Sequence, residues 1–150
     1  MTNITSVFIK NRPATFEYAI EDRLKAGMVL TGSEIKSVRN SKVSFNDSYC
    51  LFNDGELWIK SLHIAEYVNA GYASHDPTRE RKLLLNRKEL NKWEAKIKEK
   101  GLTIVPLNIY IDENGKAKIE IGLGKGKKFH DKRESTKSRE VEREIKRYLK

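Results

Sequence analysis

Tyr49-Cys50-Leu51-Phe52-Asn53-Asp54-Gly55-Glu56-Leu57-Trp58-Ile59-Lys60 is the stretch that decides the fold. Residues 48–53 and 56–60 are short apolar-rich runs of strand length, and Asp54-Gly55 between them is a strong short-range hairpin signal. A chain that opens its middle with such a hairpin is building antiparallel sheet.

Toward the N-terminus, Thr31-Gly32-Ser33-Glu34 fits a capping box, in which hydroxyl and carboxylate satisfy each other's orphan amides. It predicts a short helix over 33–39 that buries Ile35 and Val38. Before it comes the apolar segment Met28-Val29-Leu30, reached through an expected turn at Lys25-Ala26-Gly27. Phe16, Tyr18 and Ile20 alternate with Glu17, Ala19 and Glu21, a period of two that predicts a strand. Residues 1–14 are polar, end in Asn11-Arg12-Pro13, and read as a loosely held arm.

Toward the C-terminus, residues 62–74 show no clear period, and Asp76-Pro77 breaks regular structure. Arg79, Arg81 and Lys82 then form a basic cluster. Asn86, with Glu89 three residues on, caps a helix whose Leu90, Trp93 and Ile97 share one face and which Gly101 ends. Residues 102–111 are an apolar run that Pro106 demotes in part to an edge or bulge. After a turn at 112–115, Ala117, Ile119, Ile121 and Leu123 alternate with Lys118 and Glu120 as a last strand. The expected fold is mainly β with flanking helices. It is an OB-like antiparallel β-barrel of about six strands, with two or three helices and a basic C-terminal tail.

The barrel is expected over 1–124 and the tail over 125–150. Of the net charge of +9, the last 26 residues carry +6, from 11 Lys/Arg against 5 Asp/Glu. Charge concentrated at one end fits a nucleic-acid arm, and equally a solvated tail. Gly122-Leu123-Gly124-Lys125-Gly126-Lys127-Lys128-Phe129-His130 mixes open backbone, cations and flat rings, which phosphates and exposed bases would use. Residues 130–140 lack apolar spacing and are expected to be disordered alone. Arg139, Arg143 and Arg147 then line one face of an amphipathic helix, opposite Val141, Ile145, Tyr148 and Leu149. That helix either folds on RNA or packs permanently on the barrel.

Other chemistry finds little footing. Cys50 is the only cysteine, so an intrachain disulfide and a Cys-based zinc site are excluded, and its setting predicts a small buried residue. His63, His75 and His130 stand far apart, without metal-ligand spacing. No metal or cofactor is expected, no catalytic residue is assigned, and a nuclease built on His75-Asp76-Pro77-Thr78-Arg79 lacks an acidic pair. No long apolar run or signal core occurs, so a cytoplasmic protein without membrane contact is expected.

The chain resembles the SsrA-binding protein (small protein B) family. The resemblance rests on Leu30-Thr31-Gly32-Ser33-Glu34-Ile35-Lys36-Ser37-Val38-Arg39, Asp47-Ser48-Tyr49 and His75-Asp76-Pro77-Thr78-Arg79. Arg81-Lys82-Leu83-Leu84-Leu85-Asn86, Lys125-Gly126-Lys127-Lys128 and Asp131-Lys132-Arg133-Glu134 complete it, in the family's order. It implies a barrel that binds the tRNA-like domain of transfer-messenger RNA and, as a monomer, brings that RNA to stalled ribosomes for trans-translation. By resemblance, Asn11, Tyr18, Leu84, Asn86 and Lys118 form the RNA surface of the barrel. The tail, helical on the ribosome, would meet the decoding site through Lys125, Gly126, Lys127, Lys128, His130, Asp131, Lys132 and Arg133, with Arg139, Arg143 and Arg147 beyond. Two positions depart from the family. Lys25 stands where an acid is usual, so a family glutamate involved in RNA binding does not carry over. Gly124 replaces the usual alanine and is expected to loosen the junction to the tail.

Overall fold

The structure, a computed structural model, describes residues 7–67 and 75–126. The tail from Lys127 onward, with every site residue expected there, lies outside the described residues. So does most of the ambiguous stretch 62–74.

The chain runs β1 (Phe8–Lys10), α1 (Ala14–Glu17), β2 (Tyr18–Met28), α2 (Gly32–Arg39), β3 (Val43–Ser44) and β4 (Tyr49–Asn53). There follow β5 (Glu56–Lys60), β6 (His63–Ile64), β7 (Arg81–Leu84), α3 (Arg87–Lys100), β8 (Thr103–Ile111) and β9 (Ala117–Gly126). Neighbouring strands follow the order β4-β5-β7-β2-β9-β8, and β8 returns to β4 through Cys50 and Ile104, so six antiparallel strands close a ring. β1 adds to β8 outside the ring, and β3 pairs with β6 apart from it. The central hairpin turns where expected: Asp54 and Gly55 both take positive φ, at 56° and 78°, the backbone a two-residue turn needs.

Inward positions of the strands fill the barrel. Leu57, Ile59, Leu83, Ile104, Ile109, Ile119, Ile121 and Leu123 have no exposed surface. α3 lays Leu90 and Trp93 across this core, and the Trp93 indole N–H donates to Asp22 Oδ2 at 2.9 Å. Both capping boxes form. Thr31 and Glu34 exchange bonds at the start of α2, Asn86 and Glu89 at the start of α3, and Gly101 closes α3 in the left-handed region. β8 slips register against β9 between Pro106 and Asn108, which is the bulge that Pro106 foretold.

Several local expectations give way to tertiary pairing. Residues 8–14 belong to no loose arm: Phe8, Ile9 and Lys10 pair with Tyr110, Ile109 and Asn108, and the Asn11 amide donates to the Leu107 carbonyl at 2.8 Å. Phe16 falls in the single turn of α1 rather than in a strand. No turn forms at Lys25-Ala26-Gly27, because β2 finds partners on both sides there and runs through to Met28. The last strand passes the expected boundary at 124, so Lys125 and Gly126 sit in β9 opposite Ala19 and Tyr18. Gly124 tightens that pairing instead of loosening it, since a Cβ there would press on the Ala19 carbonyl oxygen.

Candidate nucleic-acid interface

β2 is the spine of the outer surface, and the five residues expected to meet RNA gather at its two ends. Near its C-terminus, Gly27 pairs with Leu84 on β7 and with Lys118 on β9. Residues directly opposite in antiparallel strands project to the same face. Leu84, Gly27 and Lys118 therefore form one row on the outside of the barrel. Gly27 adds no side chain to it, and the Leu84 side chain leans over the glycine. Leu84 is 51% exposed, whereas Leu83 before it is fully buried, so Leu84 is no core residue. Asn86 follows where β7 has ended. Its Oδ1 accepts from the Glu89 amide at 2.8 Å, which leaves the side-chain NH2 of this exposed residue directed elsewhere.

At the other end, Asn11 and Tyr18 line a hollow of about 420 Å³ together with Lys10, Arg12, Asn46 and Asp47. Asn11 spends one amide hydrogen on the Pro106 carbonyl, at 2.7 Å, where β8 slips register. The half-buried Tyr18 ring packs on a small apolar cluster of Ala14, Val105 and Leu107. Tyr18 and Gly27 are nine residues apart on one strand, which is up to about 30 Å. The five residues thus mark an elongated face and not a single pocket. Lys125 and Gly126 end β9 beside Tyr18, so the basic tail departs from the hollow's end of this face.

The basic cluster of Arg79, Arg81 and Lys82 is engaged with carboxylates and not left as free cations. Arg81 has no exposed surface, and its Nε donates to Glu34 Oε2 at 2.8 Å while Nη1 donates to the Leu62 carbonyl at 2.7 Å. Arg79 donates through Nη2 to Glu34 Oε1 at 2.6 Å and through Nε to Oε2 at 3.0 Å. Burial alone would raise the Glu34 carboxyl, but Arg79, the Thr31 amide and Arg81 outweigh it and hold it down at about 2. Lys82 faces Glu56 at 3.7 Å. His75 is buried too. The Ile64 carbonyl, 2.8 Å from its Nε2, can only accept, so Nε2 carries the proton and Nδ1 accepts from the Ser33 hydroxyl at 2.8 Å. The motif around His75 is a structural knot tying α2 to the start of β7. Cys50 is buried as expected, and burial pushes its thiol far above the usual range.

The outer row continues past the residues that the sequence singled out. Lys118 stands opposite Tyr110 on β8, and Tyr110 opposite Phe8 on β1. Lys25 holds its ammonium 5.9 Å from the centre of the Tyr110 ring. Tyr110, between buried Ile109 and Ile111, was legible as an outward position, but Phe8 was not, because nothing local announces β1. Among the described residues, Lys10, Lys25 and Lys118 make no salt bridge, so this face keeps its cations available. No helix among the described residues is long and apolar enough to cross a membrane.

Comparison with known proteins identifies the relatives of this chain. A family model described as SmpB protein matches residues 8–150. An SsrA-binding protein of Phocaeicola vulgatus is 52% identical over 146 residues, covering 97% of both chains. One of Cytophaga hutchinsonii is 51% identical over 144 residues, covering 96% of this chain and 94% of its own. A solved structure described as "tmRNA-SmpB: a journey to the center of the bacterial ribosome" matches with a TM-score of 0.72 at 43% identity, over 88% of this chain and 96% of that one. With a closed six-stranded barrel carrying an outward row of apolar, cationic and amide groups, and a family match that runs from the first residue of β1 to Lys150, this chain belongs to the SmpB protein family.

Proposed function

We propose that this protein binds the tRNA-like domain of transfer-messenger RNA on the outer face of its barrel and delivers that RNA to stalled ribosomes for trans-translation. The observation that carries the reading is the row of Leu84, Gly27 and Lys118, with Asn86 beyond its β7 edge. It combines an exposed apolar contact, a cation and an amide donor on a rigid sheet, a set suited to riboses, phosphates and the shape of a folded RNA. The names of the relatives and the ribosomal setting of the solved neighbour support it. In this reading the protein is a cytoplasmic adaptor without catalysis of its own; His75, on which a nuclease would have to rest, is buried and held between the Ser33 hydroxyl and the Ile64 carbonyl.

The tail supplies the second contact in this reading. It leaves the barrel after Gly126 and runs into the empty mRNA channel, where it becomes helical. There His130 stacks on a ribosomal base, while Lys127, Lys128, Lys132 and Arg133 hold phosphates and Asp131 accepts hydrogen bonds. Arg139, Arg143 and Arg147 continue along the channel as one cationic face.

A titration against transfer-messenger RNA and an ordinary tRNA of similar size, over several salt concentrations, tests the barrel's part. A preference for the tRNA-like domain that survives near-physiological salt is the expected result. Equal affinities that collapse together as salt rises would reduce the interaction to counterion release from a basic protein and overturn the reading.

A further inference from the structure

We propose that Phe8 and Tyr110, flanked by Lys25 and Lys118, form a stacking step that holds one unpaired base of the bound RNA. The inference rests on the RNA-binding reading above and extends that surface across β8 to β1.

A single exposed aromatic ring on an edge strand is ordinary and needs no function. Phe8 differs in its surroundings. It is 58% exposed and stands directly opposite Tyr110, close enough for the two rings to touch. Tyr110 is half-buried, and the Lys25 ammonium covers it at 5.9 Å. The surface left open for a flat ligand is therefore the Phe8 ring, with Tyr110 as its cross-strand neighbour. Lys118 stands opposite Tyr110 on its other side, and Lys10 lies two residues along β1 from Phe8.

The charge around the step favours an anionic ligand. Glu120 lies on this patch, opposite Lys25 in the adjacent row. The Asn108 amide holds it, donating from Nδ2 to Glu120 Oε1 at 2.9 Å, and it makes no salt bridge to Lys25 or Lys118. Asp112, whose carboxyl feels the charge of Lys118, accepts from the Asn114 and Lys116 amides in its own turn, so three lysines face two carboxylates that backbone or amide groups already hold, and the patch stays cationic. Rings bordered by cations are what a base and its phosphates require, whereas an apolar peptide would gain nothing from the lysines. A duplex presents no open base face, so the ligand is a nucleotide that has left its helix. Lys25 adds a phosphate contact at this spot.

The test measures affinity for the transcribed tRNA-like domain of transfer-messenger RNA with wild type, Phe8→Leu, Phe8→Trp and Lys25→Gln, at several salt concentrations. Stacking of one base is worth about 1–3 kcal/mol, so Phe8→Leu should bind roughly 5- to 150-fold more weakly, with an unchanged salt slope and melting point. Phe8→Trp should bind as wild type, and its added fluorescence should be quenched by the RNA. Lys25→Gln should lower the salt slope by about 1. Wild-type affinity in Phe8→Leu, or no quenching of the tryptophan placed at 8, would overturn the step while leaving the RNA-binding reading intact. Loss of wild-type selectivity for the tRNA-like domain would overturn that reading, and the step with it.

Discussion

Replacing Glu34 is expected to damage the fold more than replacing any residue of the RNA face. Its carboxylate, itself fully buried, is shared by Arg79 and the buried Arg81. Glu34→Ala strands the Arg81 guanidinium in the interior, which typically costs about 3–5 kcal/mol. A matching drop in the urea midpoint would confirm this, and a shift within about 0.5 kcal/mol of wild type would refute it. The same residue sets an acid limit. Its folded carboxyl titrates at about 2, below the ordinary glutamate value of 4.5. The stability from that ionisation is fully present above pH 4.5 and is lost as pH falls toward 2. Glu34→Gln should therefore differ most from wild type at neutral pH, with the gap narrowing as acid is added. At this scale the sequence displayed Glu34 as part of a helix cap, correctly, and Arg79 and Arg81 only as members of a basic cluster, without their partner. The cap partner lies three residues away, whereas the arginines reach Glu34 across 45 and 47 residues.

Elements whose formation depends on neighbours in the chain were legible, and α3 is the clearest of them. Asn86, the spacing of Leu90 and Trp93, and Gly101 all occupy the places that their residue types foretold. Asn86 also permits a separation of roles. Asn86→Asp keeps an equally good cap and adds a charge that the helix N-terminus favours, so the melting point should hold. It removes the side-chain amide donor and turns a negative charge toward phosphate, so affinity for the tRNA-like domain should fall at least several-fold. Thermal melting and RNA titration on the same variant decide the matter; unaltered RNA binding would make Asn86 a cap alone. β1 was illegible for the opposite reason. Three residues of mixed polarity hold their conformation through pairing with Asn108, Ile109 and Tyr110, about a hundred residues away.

For the molecule as a whole, the described core is complete by Gly126, where β9 ends. Truncation after Gly126 is expected to leave the melting point and the preference for the tRNA-like domain in place, while the removed net charge of +5 lowers affinity for all RNA alike. Tagging of nascent chains on stalled ribosomes should be lost, and normal tagging by the truncated protein would sink the proposed role of the tail. The amino-acid sequence by itself determined the hairpin at Asp54-Gly55, both capping boxes, the bulge at Pro106 and the inward alternation of Ala117 to Leu123. Each arises from backbone preference, short-range hydrogen bonding or a repeat within one segment. Only the tertiary structure decided that six strands close at Cys50 and Ile104, that β2 runs through Gly27 and that Leu84 faces solvent. It also decided that Arg81 is buried and that Phe8 meets Tyr110. Those outcomes depend on which distant strands lie side by side, and cross-strand register sets which side chains share a face.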